Sequence, residues 1–228
     1  MKLNHIVTLF ALTLVTVSSH ADIDLTRLLV PPKNEVRQLL DKAQGGDVRA
    51  QYRLAGLYES APDKERDYQQ AAYWYQQAAE QGHPEAAENL GLMYNEGRGH
   101  QRDFNQAFKW FTLASDNGSA RGKYSLALAH YHGQGTPRDF TLANHWYRES
   151  AAMGYARAMN NLGIMHGLGD GVLQNDIEAY AWFELAVSHG NSNAVKNRDL
   201  TALELSPEEL EQAKALSQKI AKRIGLGG

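Results

Sequence analysis

All four tryptophans of the chain stand on one ladder, Trp74, Trp110, Trp146 and Trp182, each 36 residues after the last. Glycine keeps the same step at Gly46, Gly82, Gly118, Gly154 and Gly190, and leucine keeps it at Leu54, Leu90, Leu126 and Leu162. Alanine follows at Ala71, Ala107, Ala143 and Ala179, and a polar column reads Asp67, Asp103, Asp139 and Asn175. Self-similarity at this period marks a tandem array, in which one supersecondary unit buries its apolar face only by stacking on copies of itself.

Each unit reads as two helices. In the first, Ala86, Leu90 and Tyr94 recur at four-residue steps and so share one buried face. Gly91 and Gly163, with Ala55 and Ala127 in the same column, keep that face slim for a close helix partner. A Gly-x-Gly turn follows at Gly97/Gly99, Gly133/Gly135 and Gly169/Gly171; the first unit has Ala61 and Asp63 there, so its loop is expected to differ. The second helix begins at the Asp/Asn column, whose side-chain oxygen accepts from backbone N–H groups that the first turn leaves orphaned. Gln70, Gln106 and Glu178, three residues on, are the expected partners in capping boxes, while Leu142 leaves the third box incomplete. Ala71, Trp74 and Ala78 then form core positions, and the next glycine ends the helix in a left-handed cap.

The units fall at 50–85, 86–121, 122–157 and 158–193, with a capping helix at 34–46 before them and capping helices over 194–225 after. Ser206-Pro207-Glu208-Glu209 supplies an N-cap, a proline at the first helical position and a capping-box glutamate. Leu210, Ala213, Leu216, Ile220 and Ile224 follow at helical spacing, and Lys219, Lys222 and Arg223 complement the C-terminal end of the helix dipole. This segment reads as the closing cap of the array rather than a membrane-surface helix.

The first 21 residues are a separate object. Lys2 precedes Ile6 to Val17, a run of 12 uncharged and mostly apolar residues, and Ser19-His20-Ala21 follows with small residues at the two positions a signal peptidase reads. The run is short of the roughly 20 residues that span a bilayer. The expectation is cleavage after Ala21, a leader over 22–33 that includes Pro31-Pro32, and a periplasmic or secreted product that does not span the membrane once cleaved. Twenty-three Lys+Arg against 26 Asp+Glu provide no basic excess for a nucleic-acid partner. With no cysteine, the chain has no disulfide, thiolate metal site or cysteine nucleophile.

Written out, the unit A-x-x-x-L-G-x-x-Y-x-x-G-x-G-x-x-x-D-x-x-x-A-x-x-W-x-x-x-A-A-x-x-G resembles the Sel-1-like repeat, a relative of tetratricopeptide repeats. Residues 86–118 match nearly throughout, with Ser115 in the second alanine place, and the resemblance covers about 50–194. It implies an all-α, right-handed α/α superhelical solenoid of about four helix-turn-helix repeats with capping helices. It also implies a concave groove used mostly for protein binding, often in the bacterial envelope. The signature residues hold the repeat together and are nearly mute on function.

No catalytic constellation, metal site or cofactor emerges from the chain. His130 and His132 lie on different faces of one helix, and His130 and His166 share the tyrosine column with no third ligand for zinc, so they read as core residues. The Asp column reads as helix caps, and the Gly-x-Gly turns lack the lysine and hydroxyl of a phosphate loop. What remains is the surface that varies between repeats. By tetratricopeptide phasing, the positions two before each leucine, Tyr52, Glu88, Tyr124 and Asn160, face the groove, as do the positions two after, Gly56, Leu92, Leu128 and Ile164. Arg49, Glu85, Arg121 and Arg157 stand five before, and Tyr131 joins them. Tyr, Leu and Arg are the residue types that dominate interface hot spots. Register and phasing therefore set Trp146 in the core and Tyr124 in the groove. The first functional expectation is an exported, non-enzymatic adaptor, scaffold or regulator that binds a protein or peptide in this groove. The alternatives are an accessory subunit of an envelope machine (flagellar, secretion or polysaccharide export) and a cell-wall glycan-acting enzyme or binder.

Overall fold

The computed structural model describes residues 33–63 and 65–226. Among them are eleven helices and no strand. The expected signal peptide, its cleavage point and leader residues 22–32 lie outside the described residues. Helix α1 (Lys33–Gln44) precedes four pairs: α2 (Val48–Ser60) with α3 (Tyr68–Glu80), α4 (Pro84–Glu96) with α5 (Phe104–Asp116), α6 (Ala120–His132) with α7 (Phe140–Ala152), and α8 (Ala156–Leu168) with α9 (Asp176–Ser188). Helices α10 (Asn193–Glu204) and α11 (Pro207–Arg223) close the chain. Through α10, successive helices pack on one another along the chain, and α11 folds back onto α9. The result is an all-α solenoid.

Asp67 caps α3 by accepting from the N–H groups of Gln69 and Gln70 at 3.0 Å, and Asp103, Asp139 and Asn175 cap α5, α7 and α9 in the same way. The expected capping boxes at Gln70, Gln106 and Glu178 do not form. The N–H each would have served is already bonded: Asp67, Asp103 and Asn175 donate to the carbonyls of Tyr58, Tyr94 and His166, at 3.1, 2.9 and 2.9 Å. The returning chain is thereby tied to the previous helix, and the side chain three residues on is released. The reciprocal box does form at Ser206 and Glu209. At the other end of the second helix Gly82 sits at φ +89°, which lets its N–H reach Ala79 and that of His83 reach Ala78, the paired bonds of a Schellman cap.

The slim face of the first helix has a specific counterpart. A Cβ on Gly91 would stand 2.6 Å from the Phe111 ring, and one on Gly163 would stand 2.5 Å from Phe183. In the two repeats where alanine holds this position, Ala55 and Ala127, the equivalent aromatic is tyrosine, Tyr75 or Tyr147. Both tyrosine hydroxyls are bonded: Tyr75 donates to Glu59 at 2.7 Å and Tyr147 accepts from Asn161 at 2.9 Å. Burial drives both phenols well above their ordinary range. Glycine pairs with phenylalanine and alanine with tyrosine, so each helix pair fills its own space.

The tryptophan ladder is less uniform than its spacing. Trp74 and Trp182 are buried at 6% and 1% exposure, whereas Trp110 and Trp146 are only half-buried. Trp146 is partly exposed, and the Lys123 ammonium lies 5.3 Å from its ring centre. This corrects the equal core status that the period suggests. Closure at the C-terminus has two parts. The leucine column continues as Arg198, which pairs with Glu184 at 3.2 Å and Asp199 at 2.7 Å instead of seeking a further helix. Helix α11 brings Ala213 and Ile220 into the core against α9.

Candidate interaction face

The column two after each leucine lines a row of hollows on the face made by the first helices. Gly56, with Leu39 and Arg53, borders one of about 460 Å³ between α1 and α2. Leu92 and Leu128 border another of about 260 Å³ between α4 and α6, with Phe111 behind them. Leu128, Tyr131 and Ile164 share a smaller one of about 90 Å³. Ile164 continues into a hollow of about 510 Å³ between α8 and α10. Leu92, Leu128 and Ile164 are each half-buried, anchored in the helix row with a side still open.

The column two before each leucine is placed differently, and here the sequence reading needs correction. These side chains lie in the seam between one first helix and the start of the next. Tyr52 stacks on His83, the cap of α4, with ring centres 4.3 Å apart. Tyr124 leans on Tyr147 at 5.7 Å and on Tyr155, the residue before α8, at 5.1 Å. Asn160 accepts from Asn197 at 3.0 Å. Glu88 is 2% exposed, and its Oε1 accepts from Arg121 Nε at 2.9 Å. Glu88 therefore does not present itself to the groove, and Tyr124 is not free of structural work. The physical reason is stacking: the two columns are four residues apart and share one face of the first helix, but the next repeat's helix start covers the earlier turn and leaves the following turn open.

Arg121 and Arg157 are exposed, as are Arg49 and Glu85 in their column. The Tyr131 hydroxyl donates to Asp170 at 2.6 Å, and that bond, with burial and the carboxylate's charge, pushes its phenol up to about 12. Sequence reasoning missed Leu168, Leu200 and Leu203, which are 64%, 53% and 79% exposed around the hollow of about 510 Å³. The signal was available: Leu200 is 36 residues after Ile164, and Leu203 is 72 after Tyr131.

Buried His130 and His166 have unlike surroundings. His130 stands edge-on to Phe108 at 5.5 Å. His166 Nε2 lies 3.3 Å from Arg148 and 3.2 Å from a Glu178 oxygen, the side chain that the unformed capping box released. Burial lowers both imidazole pKa values, against Asp139 at His130 and against Glu178 at His166; Arg148 lowers the latter further. Among the described residues no three His, Asp or Glu side chains gather as a metal site would require. No described helix is long and apolar enough to cross a membrane.

Four consecutive stretches, 48–83, 84–119, 120–155 and 156–191, match the Sel1 repeat, each beginning at a first helix. Among solved structures, the chain is similar to a protective antigen of uropathogenic Escherichia coli with an SLR fold (TM-score 0.77, 30% identity, 84% of this chain and 41% of that one). It thus spans less than half the length of that protein. It is also similar to a Sel1 repeat protein from Oxalobacter formigenes (TM-score 0.70, 26% identity, 78% of this chain and 75% of that one). A Pseudomonas aeruginosa immunity protein shares the fold at TM-score 0.51 and 19% identity, over 86% of this chain and 79% of that one. No curated protein matches the chain. With four in-register units end to end, the chain belongs to the Sel1 repeat family, whose fold is typical of protein–protein interaction adaptors.

Proposed function

We propose that this protein is an exported adaptor or scaffold of the cell envelope that holds a protein or peptide partner along the first-helix face. The observation that carries the reading is the run of hollows behind Leu92, Leu128 and Ile164. The repeat-signature residues are consumed in packing and capping, whereas the side chains of this column stay half open. Apolar anchors in a row with exposed Arg121 and Arg157 nearby have the chemistry of an interface whose centre is desolvated and whose rim is polar. A rigid, pre-formed row also spares the ordering entropy that a folding-on-binding site loses. Export is supported by the composition of residues 1–21.

The test is photo-crosslinking in intact cells, with the reactive group at Leu128 and a control at exposed Lys109 on α5. One protein captured at Leu128 and not at Lys109 supports the reading, and equal capture at both sites, or none, overturns it. Fractionation with N-terminal sequencing checks export, where a mature chain beginning at Asp22 is expected.

A further inference from the structure

Helix α10 presents a combination found nowhere else in the array. Where the repeats carry their core leucine and the slim small residue after it, α10 carries Arg198 and Asp199, which pair with each other. The helix has given up the apolar residues that would receive a further second helix. Yet it keeps Leu200 and Leu203, exposed beside Leu168 and the 510 Å³ hollow. These leucines are therefore not remnants of repeat stacking. Contiguous exposed apolar side chains of this kind mark an interaction site.

The charges around them decide what covers them. Lys196 stands four residues before Leu200 and Glu204 four residues after; both are exposed, and neither forms an ion pair among the described residues. Two α10 helices crossing antiparallel at Leu200 set each Lys196 opposite the partner's Glu204. A parallel crossing would oppose like charges. The protruding Leu203 of each copy then has the hollow of the other copy to enter. A surface that carries both a knob and a hole, and both charges, equally spaced about a centre, is self-complementary, as a two-fold interface requires. Head-to-tail growth is disfavoured because α1 carries exposed Gln38 and Lys42 where the repeats have Trp74 and Ala78. We infer that this protein forms a two-fold homodimer in which α10 packs antiparallel on α10 about Leu200, with Leu203 seated between the partner's α8 and α10. The inference goes beyond the proposed groove function and does not depend on it.

Sedimentation equilibrium over a concentration series tests it on the chain from Asp22 onward. The wild-type chain is expected to be dimeric at the upper end of the series, and Leu203→Asp monomeric throughout, with a melting temperature matching wild type at dilutions where both are monomeric, since Leu203 is 79% exposed. Lys196→Glu is expected to weaken the dimer by about tenfold through like-charge opposition. Adding Glu204→Lys to Lys196→Glu restores it, because the swapped charges again face opposites. A monomeric wild type overturns the proposal, and would leave the face to another occupant such as a peptide or the leader. So does a dimer indifferent to Leu203→Asp, or a double swap that fails to recover.

Discussion

Glu88 and Arg121 join two repeats through a buried carboxylate. Oε1 of Glu88 on α4 accepts from Nε of Arg121 on α6, while its Oε2 is buried with no hydrogen-bond partner among the described residues. Burial raises the carboxyl to about 7 from a reference near 4.5; Arg121 opposes the rise and Glu85 adds to it. A group whose folded pKa is raised contributes stability that is complete below about pH 4.5 and is lost as pH climbs through 7. Glu88→Gln, which stays neutral, is expected to raise the melting temperature at pH 8 by about 2–4 °C and to change it little at pH 4.5. An equal effect at both pH values would show that the carboxyl is ionised throughout.

The buried histidines run the opposite way. His130 and His166 have pKa values lowered from 6.5, so their contribution is complete above that value and is lost as pH falls below it. Wild type is expected to lose melting temperature between pH 7 and pH 5 more steeply than His130→Gln/His166→Gln. Parallel curves from differential scanning calorimetry would assign the acid sensitivity elsewhere.

Gly91 and Gly56 are both helical glycines, and replacing each with alanine is expected to have opposite signs. At Gly91 the new methyl meets the Phe111 ring, and overpacking there outweighs the gain in helix propensity, for a net loss of about 1–2 kcal/mol. At Gly56 the nearest atom is the Tyr75 hydroxyl at 3.8 Å, so the propensity gain of about 1 kcal/mol stands alone. Urea titration of the two variants decides the matter, and stabilisation by Gly91→Ala would refute the packing account.

Trp182→Ala is expected to cost about 3–5 kcal/mol, whereas Trp146→Ala, already partly exposed, loses markedly less. Tyr124→Ala should destabilise as well, because its ring bridges Tyr147 and Tyr155. Denaturant midpoints of the three variants rank them, and equal losses at Trp146 and Trp182 would contradict their different burial.

Period and spacing in the sequence alone determined the class of fold, the helix pairs, the Asp/Asn caps and the glycine-ended helices, because each of these is a local property that repeats wherever its residues repeat. Equivalence in register says only that two residues occupy like positions; it does not say what lies opposite them. Trp146 and Trp182 share a column yet differ in burial, since the neighbours that cover them come from other helices. Glu88 reads as a groove residue until the start of the next repeat is seen to close over it, and Glu178 reads as half of a capping box until the N–H it would serve is seen bonded to His166. Which turn of the first helix's shared face is seam and which stays open, and that α10 keeps its leucines exposed after its core column has turned polar, were decided by the stacking of helices distant in the chain. That stacking is a tertiary relation that no single 36-residue unit contains.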